Sequence, residues 1–149
     1  MAIAPESLPE GVGVAPDGRV IATSVGGSSV SVFRDGRLER TAGRYGKGDG
    51  EFARPHDVEA ASDGSLYVVD SGNHRVQVLT ADLRHRSTFG PELGLDEPKY
   101  LHFDGERIWL ADEYNHRILF LDRGGKPLGV LCTGQRGRGP NAFHKPEAV

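Results

Sequence analysis

Histidine and cysteine are the side chains of this sequence that could bind a transition metal or act as a nucleophile. The sequence has six histidines and one cysteine. A zinc site needs three or four protein ligands, whereas His85, His102 and His144 have no partner at ligand spacing. Cys132 has no second cysteine with which to form a disulfide or a metal site, so we expect an inert strand residue. No pair of catalytic carboxylates is predicted, because the acids lie in Asp-Gly turns and beside arginines.

Two acid–base pairs recur with the same spacing, and we interpret them as structural rather than catalytic. The pairs are Asp70 with Arg75 and Asp112 with Arg117. Each aspartate should end one strand and each arginine should begin the next, so a bidentate bond between them would fix the register of the hairpin. Between the members of each pair stand His74 and His116, which we predict to be exposed turn residues rather than ligands.

The two pairs belong to a longer repeat. Copies of the repeat cover residues 9–33, 55–78 and 98–120, and a fourth copy begins at 143–149. Asp70 and Asp112 are 42 residues apart. The first copy is more divergent, since Ser24 and Ser29 occupy the positions of the aspartate and the arginine.

Each repeat is predicted to form four short strands. In the second copy we expect strands at 58–60, 66–69, 75–79 and 86–89. The run Leu66–Val69 is rich in β-branched and aromatic residues, as is typical of a buried strand. The Asp63-Gly64 dipeptide favours a tight turn before it. Four strands in a period of about 40–45 residues fit one blade of a β-propeller.

These residues resemble the NHL repeat family. The resemblance is carried by a glycine-rich lead-in with Phe52, by Pro55, by the strand that ends at Asp70, and by the motif Asn73-His74-Arg75, which recurs as Asn115-His116-Arg117. It implies an all-β fold with about three four-stranded blades of an NHL-type, six-bladed β-propeller. The blades are expected at about 8–43, 52–90 and 95–133, with the start of a fourth at 143–149.

Three blades cannot close a ring, so an incomplete ring is expected here. The favoured interpretation is a fragment of a longer protein, since the last copy stops within its first strand. Two alternatives stay open. Two copies could form a homodimer that completes a six-bladed ring, or the half ring could be open.

The resemblance implies three kinds of function: a protein-binding platform, an RNA-binding face, or a metal-dependent enzyme such as the peptidyl-hydroxyglycine amidating lyase. We favour a non-enzymatic platform that binds a protein or a small ligand at the mouth of the central channel, because loops on a rigid scaffold carry recognition. The predicted contact residues flank the prolines of the inner strands, and they are Arg54, His56, Lys99, Tyr100 and Lys145.

The lyase alternative depends on zinc. In that group, Pro-His dipeptides at the start of the inner strands hold the metal, and Pro55-His56 fits this pattern. The equivalent positions in the other copies are Glu10, Lys99 and Glu147, so His56 is a lone metal candidate. No metal site and no cofactor are therefore predicted for this stretch. Zinc or calcium would be expected only in a complete propeller.

The charge and hydropathy of the chain argue against two classes of partner. The net charge is −3, which gives no electrostatic reason to expect nucleic acid as the main partner. The basic loop residues around Arg44 and Arg136 are diluted by nearby acids. No segment approaches the roughly 20 apolar residues that span a bilayer, so no membrane partner is expected. The sequence does not assign a compartment, although a single free thiol favours the cytoplasm.

Overall fold

The computed structural model describes residues 8–132, 143–147 and 149. Within them the chain forms twelve strands in three separate four-stranded sheets, each a simple antiparallel meander in chain order. The first sheet contains β1 (Pro9–Val14), β2 (Val20–Ser24), β3 (Ser29–Arg34) and β4 (Arg37–Ala42). The second contains β5 (Pro55–Ala60), β6 (Leu66–Asp70), β7 (Arg75–Leu79) and β8 (His85–Phe89). The third contains β9 (Pro98–Asp104), β10 (Arg107–Asp112), β11 (Arg117–Asp122) and β12 (Pro127–Leu131).

This architecture confirms the predicted all-β class with three four-stranded units. Two single-turn 3₁₀ helices, Ser71–Asn73 and Pro91–Leu93, occur in the connections. The three sheets that the structure describes do not close into a ring. Among the described residues, no helix has the length and apolar character needed to cross a bilayer.

The middle strands of the second sheet are the most buried part of the chain. Every residue of β6 and β7 is buried. This explains why β6 is a nearly continuous apolar run instead of an alternating pattern, since it has protein on both faces. In β7 the buried polar residues Arg75 and Gln77 both donate to the carboxylate of Asp70. The outer strand β4 is mostly exposed, and its sequence is correspondingly polar.

Two apolar layers hold the sheets together face to face. Ile21 and Val30 of the first sheet belong to the same cluster as Val58 and Val68 of the second. The other faces of β6 and β7 join the third sheet, where the rings of Tyr67 and Phe103 meet edge to face with centroids 5.0 Å apart. Each sheet therefore depends on its neighbour to bury its core, as expected of a repeat protein.

The first strands of the three sheets lie side by side, and we call this the inner edge. β5 contacts both β1 and β9. The approach of β1 to β5 is so close that a Cβ atom on Gly11 would lie 2.5 Å from the Cα of Asp57 and 2.6 Å from the carbonyl oxygen of His56. Farther along β9, the backbone N–H of Leu101 donates to the buried carboxylate of Asp57 at 2.9 Å. The inner edge is thus a tightly packed backbone surface.

Candidate ligand-binding site at the channel mouth

Proline opens each of the three inner strands at the same end of its sheet. Pro9, Pro55 and Pro98 pair with, or stand opposite, the last residue of the following strand. In all three strands the register shifts just after the proline, which is the signature of a bulge. Bulges re-aim side chains and are common beside functional sites. We call this end of the inner edge the channel mouth.

The residues before Pro55, Pro98 and Pro146 have an unusual backbone. Arg54, Glu97 and Lys145 have φ values of 55°, 50° and 52°. A non-glycine residue in the left-handed region costs about 1–2 kcal/mol. Such strain persists only where the surrounding structure enforces it, and it clusters at functional sites.

The residues before the prolines pair across neighbouring sheets. The guanidinium of Arg54 contacts the carboxylate of Glu97. Arg54 was predicted as a ligand contact, whereas Glu97 was not predicted at all. The guanidinium is half exposed and already holds one carboxylate.

The residues after the prolines form a chain of contacts around the channel mouth. His56 Nδ1 lies 3.6 Å from Glu10 Oε1 on the first sheet. The other imidazole nitrogen of His56, Nε2, lies 3.1 Å from Lys99 Nζ on the third sheet. The Tyr100 hydroxyl donates to Glu10 Oε1 at 3.5 Å, so the third sheet also reaches the first. Burial, followed by the charge of Glu10, raises the pKa of Tyr100.

Lys99 defines the protonation of His56. An ammonium group can only donate hydrogen bonds, so Nε2 must be the acceptor and Nδ1 carries the ring proton. Burial, followed by the nearby charge of Lys99, lowers the pKa of His56. His56 is therefore a neutral imidazole at pH 7 with a donor at Nδ1.

The contact between Lys99 and His56 argues against zinc binding at His56. A metal ion at His56 Nε2 would have to displace the Lys99 ammonium and then lie beside its charge, so the residues present do not fit a zinc site at this position. Within the described part of the chain, no group of three or more His, Cys, Asp or Glu side chains is arranged to hold a metal ion.

Glu113 is a second residue of the channel mouth, after Glu97, that the sequence interpretation missed. Its side chain is 7% exposed, and Oε2 lies 3.4 Å from Lys99 Nζ. Lys145 Nζ lies 3.7 Å from the other oxygen and 3.9 Å from the centre of the Tyr114 ring. The sequence contained one signal: the residue after the recurring aspartate is a serine, Ser71, in the second copy but a glutamate, Glu113, in the third.

The structure thus brings the five predicted contact residues into one region. Lys99 contacts His56 and shares Glu113 with Lys145. His56 and Tyr100 share Glu10. The Arg54–Glu97 pair is close enough to act on the charge state of His56.

Two buried polar atoms at the channel mouth have no hydrogen-bond partner among the described residues. They are Nδ1 of His56 and Oε2 of Glu113. Buried polar groups are almost always satisfied, so each exception calls for an explanation. Both atoms belong to side chains that contact Lys99. They are one donor and one acceptor without a hydrogen bond, on either side of Lys99.

The recurring acid–base pairs lie just behind the channel mouth. Arg75 Nε donates to Asp70 Oδ2 at 2.8 Å, and Arg117 Nε donates to Asp112 Oδ2 at 2.7 Å. The bond is single rather than bidentate. The remaining nitrogens of Arg75 donate instead to backbone carbonyls of residues 47, 48 and 51 in the glycine-rich lead-in. Each pair consequently anchors a loop as well as a hairpin.

The aspartates of these pairs also bind the backbone just before the inner strands β5 and β9. Asp70 Oδ1 accepts the backbone N–H of Ala53 at 2.7 Å, and Asp112 Oδ1 accepts that of Asp96 at 2.8 Å. Ala53 immediately precedes Arg54, and Asp96 immediately precedes Glu97. The pairs therefore position residues of the channel mouth without belonging to it.

The turn histidines have a role that was not predicted. His74 is half exposed, as expected of a turn residue, but its Nδ1 accepts the backbone N–H of Glu97 at 3.2 Å. His116 Nδ1 accepts the backbone N–H of Lys145 at the same distance. Each histidine ties its own sheet to the strained residue before the next proline.

Comparison with solved structures defines the class of this fold. Virginiamycin B lyase from Staphylococcus aureus, solved as an inactive H270A variant with quinupristin, matches with a TM-score of 0.73 and 19% identity over 99% of this chain and 47% of that one. Hydrazine synthase of Kuenenia stuttgartiensis matches with a TM-score of 0.71 and 17% identity over 99% of this chain and 40% of its own. The three sheets are blades of a β-propeller, and the chain spans less than half the length of these two structures.

A family model matches one copy of the repeat. The NHL repeat model matches residues 52–79, which run from Phe52 at the end of the lead-in through β5, β6 and β7 of the second blade. A further structure, YCF48 bound to a D1 peptide, matches with a TM-score of 0.58 and 18% identity over 77% of this chain and 36% of that chain. Comparison with the sequences of curated proteins gives no match. At these identities the likeness to solved structures carries the fold alone.

Proposed function

We propose that this chain is an NHL-type propeller module that binds a protein or a small ligand at the channel mouth. The observation that carries the proposal is the pair of unsatisfied buried atoms, His56 Nδ1 and Glu113 Oε2, among contacting side chains from successive blades. A bound ligand would satisfy both atoms, and few precisely placed polar groups are what fixes a ligand's orientation in a site.

The scaffold supports this role because the site is preorganised. Glu97 and Lys145 have a strained conformation, and each is bonded to a turn histidine of the preceding blade, His74 or His116. A rigid site loses little conformational entropy when it binds, and this favours affinity. One fold neighbour, YCF48, has been solved with a bound D1 peptide, so peptide binding is compatible with a propeller of this general type.

The charges argue for this role over an RNA-binding face. The three predicted cations each lie against a carboxylate: Arg54 against Glu97, and both Lys99 and Lys145 against Glu113. Phosphate groups would have to compete with these acids, whereas RNA-binding faces present free basic and aromatic groups.

We also propose that the three blades, at about 8–43, 52–90 and 95–133, are part of a larger ring, with a fourth blade starting at 143–149. Lys145 repeats the geometry of Glu97, with the same left-handed φ and the same bond to a turn histidine. The outer faces support this idea, since Val12 and Val14 on β1 are each about two-thirds exposed. Sedimentation of the chain would distinguish a monomer from a dimer that completes the ring.

Selection from a displayed peptide library tests the platform directly. Peptides selected on the chain are synthesised, and their Kd is measured by fluorescence anisotropy on the wild type and on Lys99→Met. We expect the substitution to weaken binding at least about tenfold, because it removes the group that holds His56 and Glu113 together. The matched control is Lys126→Met, which changes an exposed lysine in the turn at the opposite end of the third blade.

The result that would overturn the proposal is equally clear. If no peptide can be selected, binding of a protein at the channel mouth is wrong. It is also wrong if selected ligands bind Lys99→Met as tightly as they bind Lys126→Met, since the binding surface would then lie elsewhere.

A further inference from the structure

We infer that the channel mouth recognises the uncharged amide groups of a peptide segment, with one ligand C=O accepting from His56 Nδ1 and one ligand N–H donating to Glu113 Oε2. The inference rests on the proposed function and names the chemistry of its ligand. It comes from the donor and acceptor that the site leaves open, and from the balance of charge around them.

The open donor is on His56. The ammonium of Lys99, 3.1 Å from Nε2, uses the only lone pair of the neutral ring. The proton therefore stands on Nδ1, where Glu10 Oε1 at 3.6 Å is too distant for a hydrogen bond. A ligand atom that satisfies His56 must be an acceptor.

The open acceptor is on Glu113. Lys99 Nζ lies 3.4 Å from Oε2, an ion-pair distance at which the hydrogen-bond geometry is not met. The other carboxylate oxygen faces Lys145 at 3.7 Å. A carboxylate oxygen in this state accepts a further hydrogen bond, so the ligand atom that satisfies Glu113 must be a donor.

A peptide backbone supplies both kinds of group along one extended segment. Each residue other than proline carries one N–H donor and one C=O acceptor. His56 and Glu113 both contact the ammonium of Lys99, so their open atoms belong to one small region. One peptide segment therefore carries the acceptor and the donor that these two buried atoms lack.

The charge balance favours a neutral group over an ion. The charged side chains at these contacts are three cations and three carboxylates, with His56 neutral, and they are Arg54, Lys99, Lys145, Glu10, Glu97 and Glu113. Two further carboxyl groups act on Tyr100: Asp57 accepts the backbone N–H of Leu101, and Glu147 is exposed to solvent. A buried ligand charge would find no surplus of the opposite sign, and burying an uncompensated charge is costly. An amide is polar and uncharged, so it escapes that cost.

The histidine ring reports the contact directly. In the uniformly ¹⁵N-labelled full chain, long-range ¹H–¹⁵N spectra resolve the two ring nitrogens of each histidine. The probes are acetyl-triglycine amide, which is a neutral blocked peptide, and acetate and methylammonium as its charged counterparts. We expect the blocked peptide to shift the Nδ1 resonance of His56 saturably, and we expect both ions to leave it unchanged at equal concentration.

A variant tests the Glu113 half of the contact. Glu113→Gln should weaken the binding of the blocked peptide about three- to tenfold, because a hydrogen bond to a charged acceptor is replaced by one to a neutral acceptor. The control is Glu106→Gln, which alters an exposed acid at the far end of the third blade. Backbone amide spectra of both variants check the fold. The wild-type titration remains decisive if Glu113→Gln does not fold.

The outcomes separate this inference from the proposed function. If library-selected ligands require Lys99 but the blocked peptide leaves His56 Nδ1 unmoved, the platform stands and the amide inference is wrong. A shift with acetate equal to that with the blocked peptide would also overturn it, in favour of an anionic ligand. A shift with methylammonium would overturn it in favour of a cation at Glu113.

Discussion

The backbone N–H of Glu97 donates a hydrogen bond to Nδ1 of His74, 3.2 Å away on the preceding blade. The same bond joins Lys145 to His116 one repeat later. In both cases the donor has a left-handed φ and immediately precedes a proline, Pro98 or Pro146. The Asn-His-Arg turn of one repeat thus holds the residue before the next of these prolines.

Removing this bond should loosen the packing of one blade against the next. We expect His74→Ala to lower the free energy of unfolding by about 1 kcal/mol, the usual net value of one hydrogen bond. Urea denaturation followed by tryptophan fluorescence would measure the change through Trp109 on the third blade. His102→Ala removes a more exposed imidazole on β9 and should change stability by less than about 0.5 kcal/mol. Equal effects of the two substitutions would contradict a linking role for His74.

We expect that lysine cannot replace Arg75, which lies behind the channel mouth. Arg75 donates to Asp70 and to three backbone carbonyls of the lead-in, and Asp70 is completely buried. A lysine lacks the planar fork and could not reach all four acceptors. We expect Arg75→Lys to cost about 2–4 kcal/mol, because buried groups would lose charge-assisted bonds.

The control for this prediction is Arg40→Lys. Arg40 lies on the exposed strand β4 and makes one bond to the carbonyl of Asp82. Its replacement should change stability by less than about 0.5 kcal/mol. Chemical denaturation of both variants gives the comparison, and a cost below 1 kcal/mol for Arg75→Lys would show that the lead-in does not depend on the guanidinium.

The channel mouth should make the fold sensitive to acid through His56. The pKa of this imidazole is lowered from 6.5 by burial and then by Lys99, so the unfolded chain takes up the proton first. Its contribution to stability is therefore present above about pH 6.5 and is lost as the pH falls through the lower folded value. The loss cannot exceed about 1.4 kcal/mol per pH unit.

His56→Gln isolates this contribution because it removes the titrating group and leaves the other histidines in place. Between about pH 7.5 and pH 5, the wild type should lose more unfolding free energy than the variant does. Parallel slopes for the two proteins over this range would show that His56 titrates normally in the folded state.

The close approach of β1 to β5 should not tolerate a side chain at Gly11. A Cβ atom there would meet the Cα of Asp57 at 2.5 Å, and backbone atoms cannot easily yield. We expect Gly11→Ala to cost about 1–3 kcal/mol through overpacking. Gly129→Ala is the matched control on β12, where the nearest atom, on Phe120, would be 3.9 Å away. Thermal unfolding by circular dichroism would show a lower Tm for the first variant and almost no change for the second.

The strand pattern could be predicted because local signals and burial agree. The run at Leu66–Val69 is β-branched and aromatic, the Asp63-Gly64 dipeptide marks the turn before it, and the resulting strand is buried on both faces. The offset between Asp70 and Asp112 predicted that the same hairpin would recur. Both aspartates indeed lie at the ends of corresponding strands, β6 and β10.

The details of the site depend on contacts that no local signal reports. Glu113 is a single glutamate in a turn, and its burial follows from Lys99 and Lys145, which belong to two other segments. The bond geometry of Arg75 was predicted wrongly because the competing acceptors are backbone carbonyls, which every sequence contains. His74 was interpreted as a plain turn residue for the same reason, since its partner is a backbone N–H.

The direction of the histidine bonds has a consequence for synthesis. The acceptor always belongs to the earlier blade and the donor to the segment that follows. Because the chain emerges from the ribosome N-terminus first, each histidine acceptor is made before the backbone N–H that binds to it. If each new segment docks onto the blade made before it, a newly made strand has less time to pair with a wrong partner.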